Sequence, residues 1–415
     1  MQLAFSLRGC PMANPEPRWR PGQPLRVFAV AGEHSGDRLG GKLLAVLRQR
    51  LGENLIVEGV GGEDMLATGL KPIFPMSDIA VMGLGDVLKR LPLIVRRVYQ
   101  SVAAAKAFNP HVLLIVDSPD FTHQVASRFR KQRPDVPIID YVSPTVWAWR
   151  PGRARKMSVY TDHLLALLPF EPEAHARLGG PPCTYVGHPL AERLAWMRGL
   201  DPAVLSARLG LAPERPVLIV LPGSRRGVIQ RMLPDFRETV RLLSTRPLAP
   251  EVIIPTIAER RGELAGMVAD WSLKPHIVTG EDDKFAAFRL ARAALASSGT
   301  VTLELAAAGT PAVVAYRIGP IAYQLKWLTN APSIVLANLV LGRNMYPEYL
   351  DPDVNPAVLA TRVGELLDDT PARAEQLAGL AEIPGKLAPP AVSPSEAGAD
   401  IVMQYAEHGR ARRAQ

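Results

Sequence analysis

Two acidic residues, Asp117 and Asp120, follow the aliphatic run VLLIV (112–116), with one serine and one proline between them. A carboxylate at the end of a buried strand is well placed to act as a general base, which removes a proton from a substrate hydroxyl. Asp120 can instead cap the helix that the proline begins, and both roles stay open for it. Asp117 precedes the capping position, so we predict that it is the base.

A strand followed by glycine, serine and arginine opens the second half of the chain, in the segment VLIVLPGSRRG (217–227). Gly223 allows the backbone to approach an anion, and Ser224 offers a hydroxyl donor. Arg225 can hold a phosphate through two parallel hydrogen bonds. This order of residues after a strand predicts a phosphate-binding loop.

A second anion site is predicted where the segment SSGTVTLE (297–304) begins a helix. Ser298, Gly299 and Thr300 stand at the helix N-terminus, where unpaired backbone N–H groups favour phosphate. Glu304 follows one turn later near the face of Thr300, where a carboxylate can accept two ribose hydroxyls; a solvated helix glutamate is the alternative. Together with the arginine loop, these residues predict a sugar-nucleotide pocket with no metal and no cofactor.

The segment AGEHSGD (31–37) follows the first predicted strand. Gly32 and Gly36 allow close backbone approach, and we predict that Ser35 and Asp37 cap a helix that starts near Arg38. The segment lacks the spacings GxGxxG and GK[ST], which argues against a nicotinamide site and a Walker-type site. An ordinary strand-to-helix turn is the alternative.

Two tryptophans lie one residue apart in YVSPTVWAWRPGRARK (141–156), directly before a basic cluster. Prolines and a glycine in this segment predict an irregular loop. Indoles are costly to expose, so Trp147 and Trp149 either bind something apolar or pack within the protein, and we expect them mostly to shape a cleft. Arg150 and Arg153 are then the residues predicted to meet an anionic ligand.

A basic amphipathic stretch covers residues 82–99, MGLGDVLKRLPLIVRRVY. Its apolar positions follow a helical stripe with arginines and a lysine beside it, which is typical of helices that lie in a membrane interface. A core helix is the alternative, and Pro92 is expected to kink or restart the helix. The residues predicted to face a membrane are Leu84, Leu88, Lys89, Arg90, Leu91 and Ile94.

The elements that would position these residues alternate between short apolar strands and helices, first over residues 25–168 and again from residue 217. Such strands are typical of parallel sheets covered on both faces. We therefore predict an α/β fold of two Rossmann-like, doubly wound domains that face a cleft, with ligands at the loops after the strands. The predicted parts are a disordered leader (1–24), a first domain (25–190), a second domain (191–385) and a C-terminal tail (386–415) that packs on the first domain. Met12 is a possible true start of the protein, and residues 188–214 are interpreted as a connection between the domains.

Composition narrows the class of protein. The chain has 415 residues, enough for two domains, and only two cysteines, too few for a disulfide framework or a metal cluster. Its formal net charge of +8 favours phosphorylated substrates or anionic membranes, and we predict no nucleic-acid partner. No apolar run reaches the roughly 18 residues needed to cross a membrane.

Several segments recur in an order that resembles one enzyme family, lipid-A-disaccharide synthase. They are AGEHSGD, GVGGEDM, VMGLGDVL, VDSPDF, YVSPTVWAWR, LLPFEPE, YVGHPL, LPGSRRG and SGTVTLELAAAGTP, which extend over residues 25 to about 350. The resemblance implies a GT-B fold and an inverting transfer of 2,3-diacylglucosamine from its UDP derivative to 2,3-diacylglucosamine 1-phosphate. The products would be a β-1,6-linked lipid A disaccharide 1-phosphate and UDP, made on the cytoplasmic side of the inner membrane of a Gram-negative bacterium by a peripherally bound enzyme.

The family pattern can be carried onto this chain residue by residue. It implies that Asn338, in LANLVLG, lies near the UDP and that Glu33 belongs to the loop that faces the acceptor. The implied catalytic residues are Asp117, Glu33 and Arg225. The implied UDP-binding residues are Gly223, Ser224, Arg225, Ser298, Gly299, Thr300, Glu304 and Asn338. The implied acceptor-side residues are Ser35, Gly36, Asp37, Asp120, Trp147, Arg150 and Arg153.

Three positions depart from the family pattern. Val228 stands where the family usually has glutamate, Glu63 and Asp64 replace a proline-containing pair, and Thr122 stands where asparagine is common. Another GT-B enzyme of UDP-sugars, an epimerase or a transferase to a soluble acceptor, is the alternative function. Such an enzyme would share the nucleotide pocket but would not need the basic amphipathic stretch or the tryptophan pair.

Overall fold

Two parallel β-sheets, one in each half of the chain, form the centre of the protein in a computed structural model that describes residues 19–80, 84–318, 332–389 and 393–410. The side chains of residues 84–89 are outside this description. Aliphatic strands such as VLLIV and VLIVL are buried along their whole length because helices cover both faces of each sheet. The predicted α/β fold of two doubly wound sheets is therefore confirmed.

The first half of the protein, as we define it here, contains strands β1 to β7. They are β1 (Leu25–Ala31), β2 (Leu55–Val60), β3 (Lys71–Pro72), β4 (Val112–Val116), β5 (Ile138–Tyr141), β6 (His163–Ala166) and β7 (Cys183–Tyr185). Its helices are α1 (His34–Leu51), α2 (Glu63–Ala67), α3 (Leu84–Phe108), α4 (Pro119–Gln132), α5 (Gly152–Met157) and α6 (Glu171–Leu178). Within the described residues the strand order is β3-β2-β1-β4-β5-β6-β7.

The second half contains strands β8 to β13. They are β8 (Val217–Leu221), β9 (Glu251–Thr256), β10 (His276–Thr279), β11 (Ala293–Ala296), β12 (Ala312–Tyr316) and β13 (Glu348–Leu350). Its helices are α9 (Arg226–Leu243), α10 (Arg261–Met267), α11 (Glu281–Leu290), α12 (Val301–Ala308), α13 (Leu336–Leu341), α14 (Pro356–Leu367) and α15 (Pro371–Leu387). In the described part of this half the strand order is β10-β9-β8-β11-β12-β13.

Helices, rather than an irregular linker, fill the segment interpreted as a connection. Two of them, α7 (Pro189–Gly199) and α8 (Pro202–Leu209), pack against α11 and α12 of the second half. A final helix, α16 (Pro394–His408), returns to the first half and packs along α1. The domain limits predicted from the sequence stay predictions, but the chain crosses between the two halves twice.

The predicted disordered leader extends too far along the chain. Trp19 is only 2% exposed, and its side chain belongs to the core formed by α1, β1 and α16. Its backbone N–H donates to the carbonyl of Ala406 at 3.1 Å, and its indole donates to the carbonyl of Gln23 at 2.8 Å. The tryptophan therefore belongs to the folded structure, whereas residues 1–18, including Met12, are outside the described residues.

Each sheet changes its winding direction between its first strand and a strand that arrives later in the chain. In the first half this point lies between β1 and β4, where Ala31 is paired with Val116. In the second half it lies between β8 and β11, where Leu221 is paired with Ala296. Loops that leave such neighbouring strands diverge and open a crevice for ligands, so both sheets bring predicted site residues to that crevice.

Candidate active site

Asp117 lies on a sharp turn between β4 and α4. Asp117 and Ser118 have φ values of 54° and 46°, in the left-handed region that residues other than glycine rarely occupy. Hydrogen bonds hold this turn: the N–H of Asp117 donates to the carbonyl of Tyr141 at 2.9 Å, and the Thr122 hydroxyl donates to the carbonyl of Asp117 at 2.7 Å. Thr122, one of the departures from the family pattern, thus fixes the backbone that presents the carboxylate.

Ser35 donates a short hydrogen bond of 2.6 Å to Oδ2 of Asp117, while the N–H of Ser118 donates to Oδ1 at 2.8 Å. The loop after β1 reaches Asp117 because its glycines leave room. A Cβ on Gly32 would lie 2.7 Å from Cβ of Ser118, and a Cβ on Gly36 would lie 2.8 Å from the carbonyl oxygen of Val116. The predicted close approach at these glycines is therefore between two parts of the protein.

The predicted capping of α1 by Ser35 and Asp37 is wrong. The helix already begins at His34, after Glu33, so both side chains lie inside its first turn and point elsewhere. Asp37 is 2% exposed and accepts three backbone hydrogen bonds from the start of α2. The donors are the N–H groups of Gly62 at 2.7 Å, Asp64 at 3.0 Å and Met65 at 3.1 Å. Asp37 therefore anchors the GVGGEDM segment to the first turn of α1, and Glu33 remains exposed at the surface.

The phosphate-binding loop predicted after β8 has the conformation that its glycine permits. Gly223 has φ +120°, and a Cβ there would lie 2.7 Å from Cγ1 of Val228. Val228, where the family usually has glutamate, instead packs against the core beneath α9. Ser224 and Arg225 are exposed, and within the described residues Arg225 forms no ion pair. The guanidinium group is therefore available to an anion.

The second predicted anion loop lies directly beside the first. The N–H of Ser297 donates to the carbonyl of Leu221 at 2.8 Å. Next to it, Ser298 donates to the carbonyl of Ile334 at 2.7 Å, which ties the start of α12 to the segment before α13. Gly299 and Thr300 are exposed at this helix start. The tertiary structure thus brings two loops that are about 75 residues apart in the chain to one crevice, and anion binding there stays a prediction.

Glu304 is half-buried and is not a solvated helix glutamate. Its carboxylate lies 3.2 Å from the ammonium group of Lys284 on α11, which also pairs with Glu281 at 2.9 Å. Lys284 in turn lies 4.6 Å from the centre of the Phe285 ring. The carboxylate predicted to accept ribose hydroxyls is therefore already oriented by a lysine that the sequence did not suggest.

Asn338, expected near the UDP, has a structural role here. The side chain is 2% exposed, and all of its hydrogen-bonding atoms meet backbone groups. Its amide donates to the carbonyl of Tyr346 at 2.9 Å, while its oxygen accepts from the N–H groups of Met345 and Tyr346 at 3.1 and 2.9 Å. These contacts hold the segment before β13 in place, and the expected position of Asn338 near the UDP stays a prediction.

Trp147 bridges the two halves of the protein. Its indole N–H donates to Glu171 at 3.3 Å, its ring meets Phe170 edge-on with centroids 5.2 Å apart, and it packs against the core of the second half. Trp147 and Phe170 also line a cavity of about 240 Å³ between the halves. Other lining residues are Glu173, Arg177, Ser333, Asn338 and Arg343. The indole therefore shapes the cleft, as the sequence interpretation expected.

The two arginines of the tryptophan loop have different neighbours. Arg150 is exposed, with φ 55°, and its guanidinium lies 5.6 Å from the ring centre of Trp149. Arg153 lies 3.2 Å from Asp120, whose side chain is 94% exposed. Asp120 therefore pairs with an arginine across the cleft edge, whereas the N-cap position of α4 is occupied by Ser118.

The helix α3 packs against the core along one side and exposes apolar side chains along another. It continues through Pro92 without a restart, which corrects part of the prediction. Val98 and Val102 are buried in the core, and Ile94, predicted to face a membrane, is half-buried against the same core. Leu91, Val95 and Tyr99 form an exposed apolar ridge, 48%, 46% and 59% exposed. The side chains of Leu84, Leu88 and Lys89 are outside the described residues, and Arg90 is exposed.

Among the described residues, no helix is both long and apolar enough to cross a membrane.

Comparison with known proteins identifies the family. Residues 27–386 match the family model described as lipid-A-disaccharide synthetase. The chain belongs to the lipid-A-disaccharide synthase family. The synthase of Nitrobacter hamburgensis is 49% identical over 380 residues, which cover 91% of this chain and 95% of that protein. The synthase of Paramagnetospirillum magneticum is 40% identical over 392 residues, which cover 94% of this chain and all of that protein. The resemblance suggested by the sequence segments is confirmed, and the chain is a hexosyltransferase of lipid A biosynthesis.

Solved structures identify the arrangement of the two sheets as GT-B. UDP-GlcNAc 2-epimerase from Neisseria meningitidis, bound to UDP-GlcNAc, has a TM-score of 0.58 at 12% identity and covers 92% of this chain and 98% of its own. A glycosyltransferase from Rickettsia africae has a TM-score of 0.56 at 11% identity and covers 94% of this chain and 100% of its own. At such low identity the likeness shows the fold alone. The epimerase alternative therefore gains no support, whereas the family relatives favour the synthase.

Three polar residues near the site were missed by sequence reasoning. Glu171 is almost fully buried beside Trp147, and burial raises its pKa to about 7 even though it accepts hydrogen bonds from the N–H groups of Leu167 and Leu168. Asp140 interrupts the apolar strand IIDY and pairs with His123 at 3.0 Å. The sequence shows an acidic residue within an apolar strand, which indicates a buried carboxylate. It does not show the partner, because His123 lies on another element, α4.

Proposed function

We propose that this protein transfers the 2,3-diacylglucosaminyl group of its UDP derivative to 2,3-diacylglucosamine 1-phosphate, giving the β-1,6-linked disaccharide 1-phosphate and UDP. The observation that carries the proposal is the short Ser35–Asp117 hydrogen bond at the crevice of the first sheet. It orients a half-buried carboxylate on a rigid turn, where an acceptor hydroxyl can approach it. Family membership, given above, supplies the reaction class.

The first chemical step follows from the position of Asp117. Its carboxylate takes the proton of the acceptor 6-hydroxyl while that oxygen attacks the anomeric carbon of the donor from the face opposite UDP, so the configuration inverts. Ser35 orients the carboxylate, and the hydrogen bond from the N–H of Ser118 holds its other oxygen. A base held in this way adds roughly 10²–10⁴-fold to the rate.

Departure of UDP places negative charge on the diphosphate, and groups of the second half stabilise this charge. Arg225 forms no ion pair within the described residues, and the adjoining start of α12 exposes Gly299 and Thr300 at the positive end of the helix. Donors that are already in place stabilise a developing charge without reorganisation. Glu304, oriented by Lys284, is the proposed acceptor of the ribose hydroxyls.

Substitution of the base tests this proposal. We expect Asp117→Asn to lower the rate of disaccharide formation about 10²–10⁴-fold while leaving UDP affinity unchanged, because the nucleotide is held by the other half. Asp400→Asn is the control, since this carboxylate on α16 is 65% exposed and pairs with Arg50 on α1, outside the predicted site. Product mass from both acylated sugars and UDP calorimetry are the measurements. An Asp117→Asn enzyme within tenfold of the wild type would remove Asp117 from the role of base.

We further propose that the exposed ridge of Leu91, Val95 and Tyr99 lies against an anionic inner-membrane surface on its cytoplasmic side. Arg90 and Arg96 are exposed beside the ridge, and Arg128 lies 5.4 Å from the ring centre of Tyr99. Apolar side chains flanked by cations are suited to the boundary between lipid head groups and acyl chains.

Vesicle flotation tests the membrane proposal. Replacing the three ridge residues with serine should abolish flotation with vesicles that contain anionic lipid and should leave UDP affinity unchanged. Replacing Val204 and Ile257, which are exposed apolar residues of the second half, is the matched control. Equal flotation of the ridge variant and the wild type would refute the assignment of this surface.

A further inference from the structure

A chain of ion pairs connects the helices α7, α11 and α12 and ends at Glu304. The guanidinium group of Arg193, on α7, lies 2.7 Å from Oε2 of Glu281 at the start of α11. Oε1 of Glu281 lies 2.9 Å from the ammonium group of Lys284, three residues later. This ammonium group also lies 3.2 Å from Oε2 of Glu304 on α12. Positive and negative side chains thus alternate from α7 to the carboxylate that is proposed to bind the ribose.

The ammonium group of Lys284 contacts both oxygens of the Glu304 carboxylate, Oε1 at 3.3 Å and Oε2 at 3.2 Å. It also meets Glu281 and lies over the ring of Phe285, 4.6 Å from the ring centre. An ammonium group has only three N–H donors, and these protein groups occupy them. Lys284 therefore acts on a ligand through Glu304 and not by direct contact.

The contact with Lys284 leaves part of the Glu304 carboxylate open. A carboxylate has about four lone-pair positions, and a cation on one side leaves those on the other side available. The side chain of Glu304 is 25% exposed, so a ligand can reach it. Two adjacent hydroxyls of a ribose can donate to its two oxygens while the lysine holds the plane of the carboxylate in place.

Arg193 compensates the charge of Glu281, which would otherwise draw Lys284 away from Glu304. Its guanidinium group lies 4.5 Å from the centre of the Trp196 ring, and this contact fixes its position. Burial raises the pKa of Glu281, but the hydrogen bonds and charges of Lys284 and Arg193 outweigh burial and lower it, so this carboxylate is ionised. The lysine therefore remains available to Glu304.

We propose that Lys284, supported by Arg193, is a positioning residue that sets the Glu304 carboxylate for two ribose hydroxyls and makes the site selective for ribonucleotides. The inference rests on the proposed function, because it requires Glu304 to bind the ribose of UDP. A hydroxyl that donates to a charged, correctly oriented carboxylate forms a strong hydrogen bond. Loss of that orientation should therefore reduce the difference in affinity between a ribonucleotide and its deoxy analogue.

Calorimetry with UDP and 2′-deoxy-UDP tests the inference. The wild type should bind UDP about 10- to 100-fold more tightly, because the deoxynucleotide lacks one of the two hydroxyls. Lys284→Met should reduce this preference to about threefold or less, whereas Lys284→Arg, which keeps the positive charge, should retain most of it. Arg208→Met is the matched control, since Arg208 pairs with Asp283 on the same helix α11 at 2.5 Å. The preference of this control should equal that of the wild type.

The same measurements separate the possible failures. Equal binding of UDP and 2′-deoxy-UDP by the wild type would overturn the role of Glu304 in the proposed function and this inference with it. A wild-type preference that folded Lys284→Met retains would overturn this inference alone. If Lys284→Met does not fold, as judged by circular dichroism, Arg193→Met takes its place and should reduce the preference by a smaller factor. An unchanged preference in folded Arg193→Met would then overturn the inference.

Discussion

Replacing Asp37 with asparagine should destabilise the first half of the protein without a direct effect on substrate binding. The wild-type Oδ1 accepts from Gly62 and Met65, and Oδ2 accepts from Asp64. An asparagine oxygen can keep the first two bonds, but its NH₂ group then faces the N–H of Asp64. One charged hydrogen bond is worth about 1.5–3 kcal/mol, and the two that remain become weaker. We expect a loss of about 2–4 kcal/mol in the free energy of unfolding.

Urea unfolding followed by circular dichroism measures this loss, with one transition allowed for each half. Asp64→Asn is the matched control: its side chain is exposed in the same segment, so we expect a change of at most about 0.5 kcal/mol. Below the unfolding transition, the KM for the acceptor should stay close to the wild-type value. A loss under about 1 kcal/mol, or a raised acceptor KM in a fully folded Asp37→Asn protein, would refute the anchoring role of Asp37.

Three other predictions concern the second half and the boundary between the halves. Gly223→Ala should weaken UDP binding about tenfold or more, because the φ of +120° at Gly223 and the 2.7 Å approach to Val228 exclude a Cβ. Calorimetry of UDP binding measures this, with Gly262→Ala as the control, because a Cβ at Gly262 meets nothing within 4 Å. Asn338→Ala should cost about 2–4 kcal/mol of stability, measured by thermal unfolding, because three buried backbone groups lose their partner; a melting temperature equal to that of the wild type would contradict this. Burial raises the pKa of the Glu171 carboxyl group from 4.5 to about 7, so the folded protein binds the proton of this group more tightly than the unfolded chain does. The stabilisation that comes from the protonated carboxyl group is therefore fully present below about pH 4.5 and is lost as the pH rises through 7. Glu171→Gln should therefore remove up to about 3 kcal/mol of pH dependence, measured by urea unfolding at about pH 5 and pH 8; parallel stability curves for variant and wild type would show the prediction to be wrong.

The strands and the loops that follow them could be predicted from the sequence because their signals are local. VLLIV and VLIVL are apolar along their whole length, and the structure places strands at those residues. The conformation of Gly223 follows from a strand that must turn sharply before a helix. The short strands β3, β7 and β13 were not predicted, because two or three residues carry too little periodicity.

The partners of the polar residues could not be predicted in the same way. Ser35 and Asp37 stand two residues apart and both suit a helix cap, yet one meets Asp117 and the other meets the start of α2. Those partners depend on how α1 packs across β4 and on where α2 begins. The backbone partners of Asn338 could not be predicted either, since a family pattern gives the residue type but not the direction of its side chain.

The sequence by itself determined the parallel α/β class, the loops that follow the strands and the family to which the chain belongs, because each depends on residue types at short spacing. Only the tertiary structure decided that Ser35 orients Asp117, that Lys284 orients Glu304 and that Asp140 lies beside His123. These pairs are separated by 82, 20 and 17 residues in the chain. They meet because strands far apart in sequence become neighbours in a parallel sheet, and that neighbourhood fixes the charges around the reacting groups.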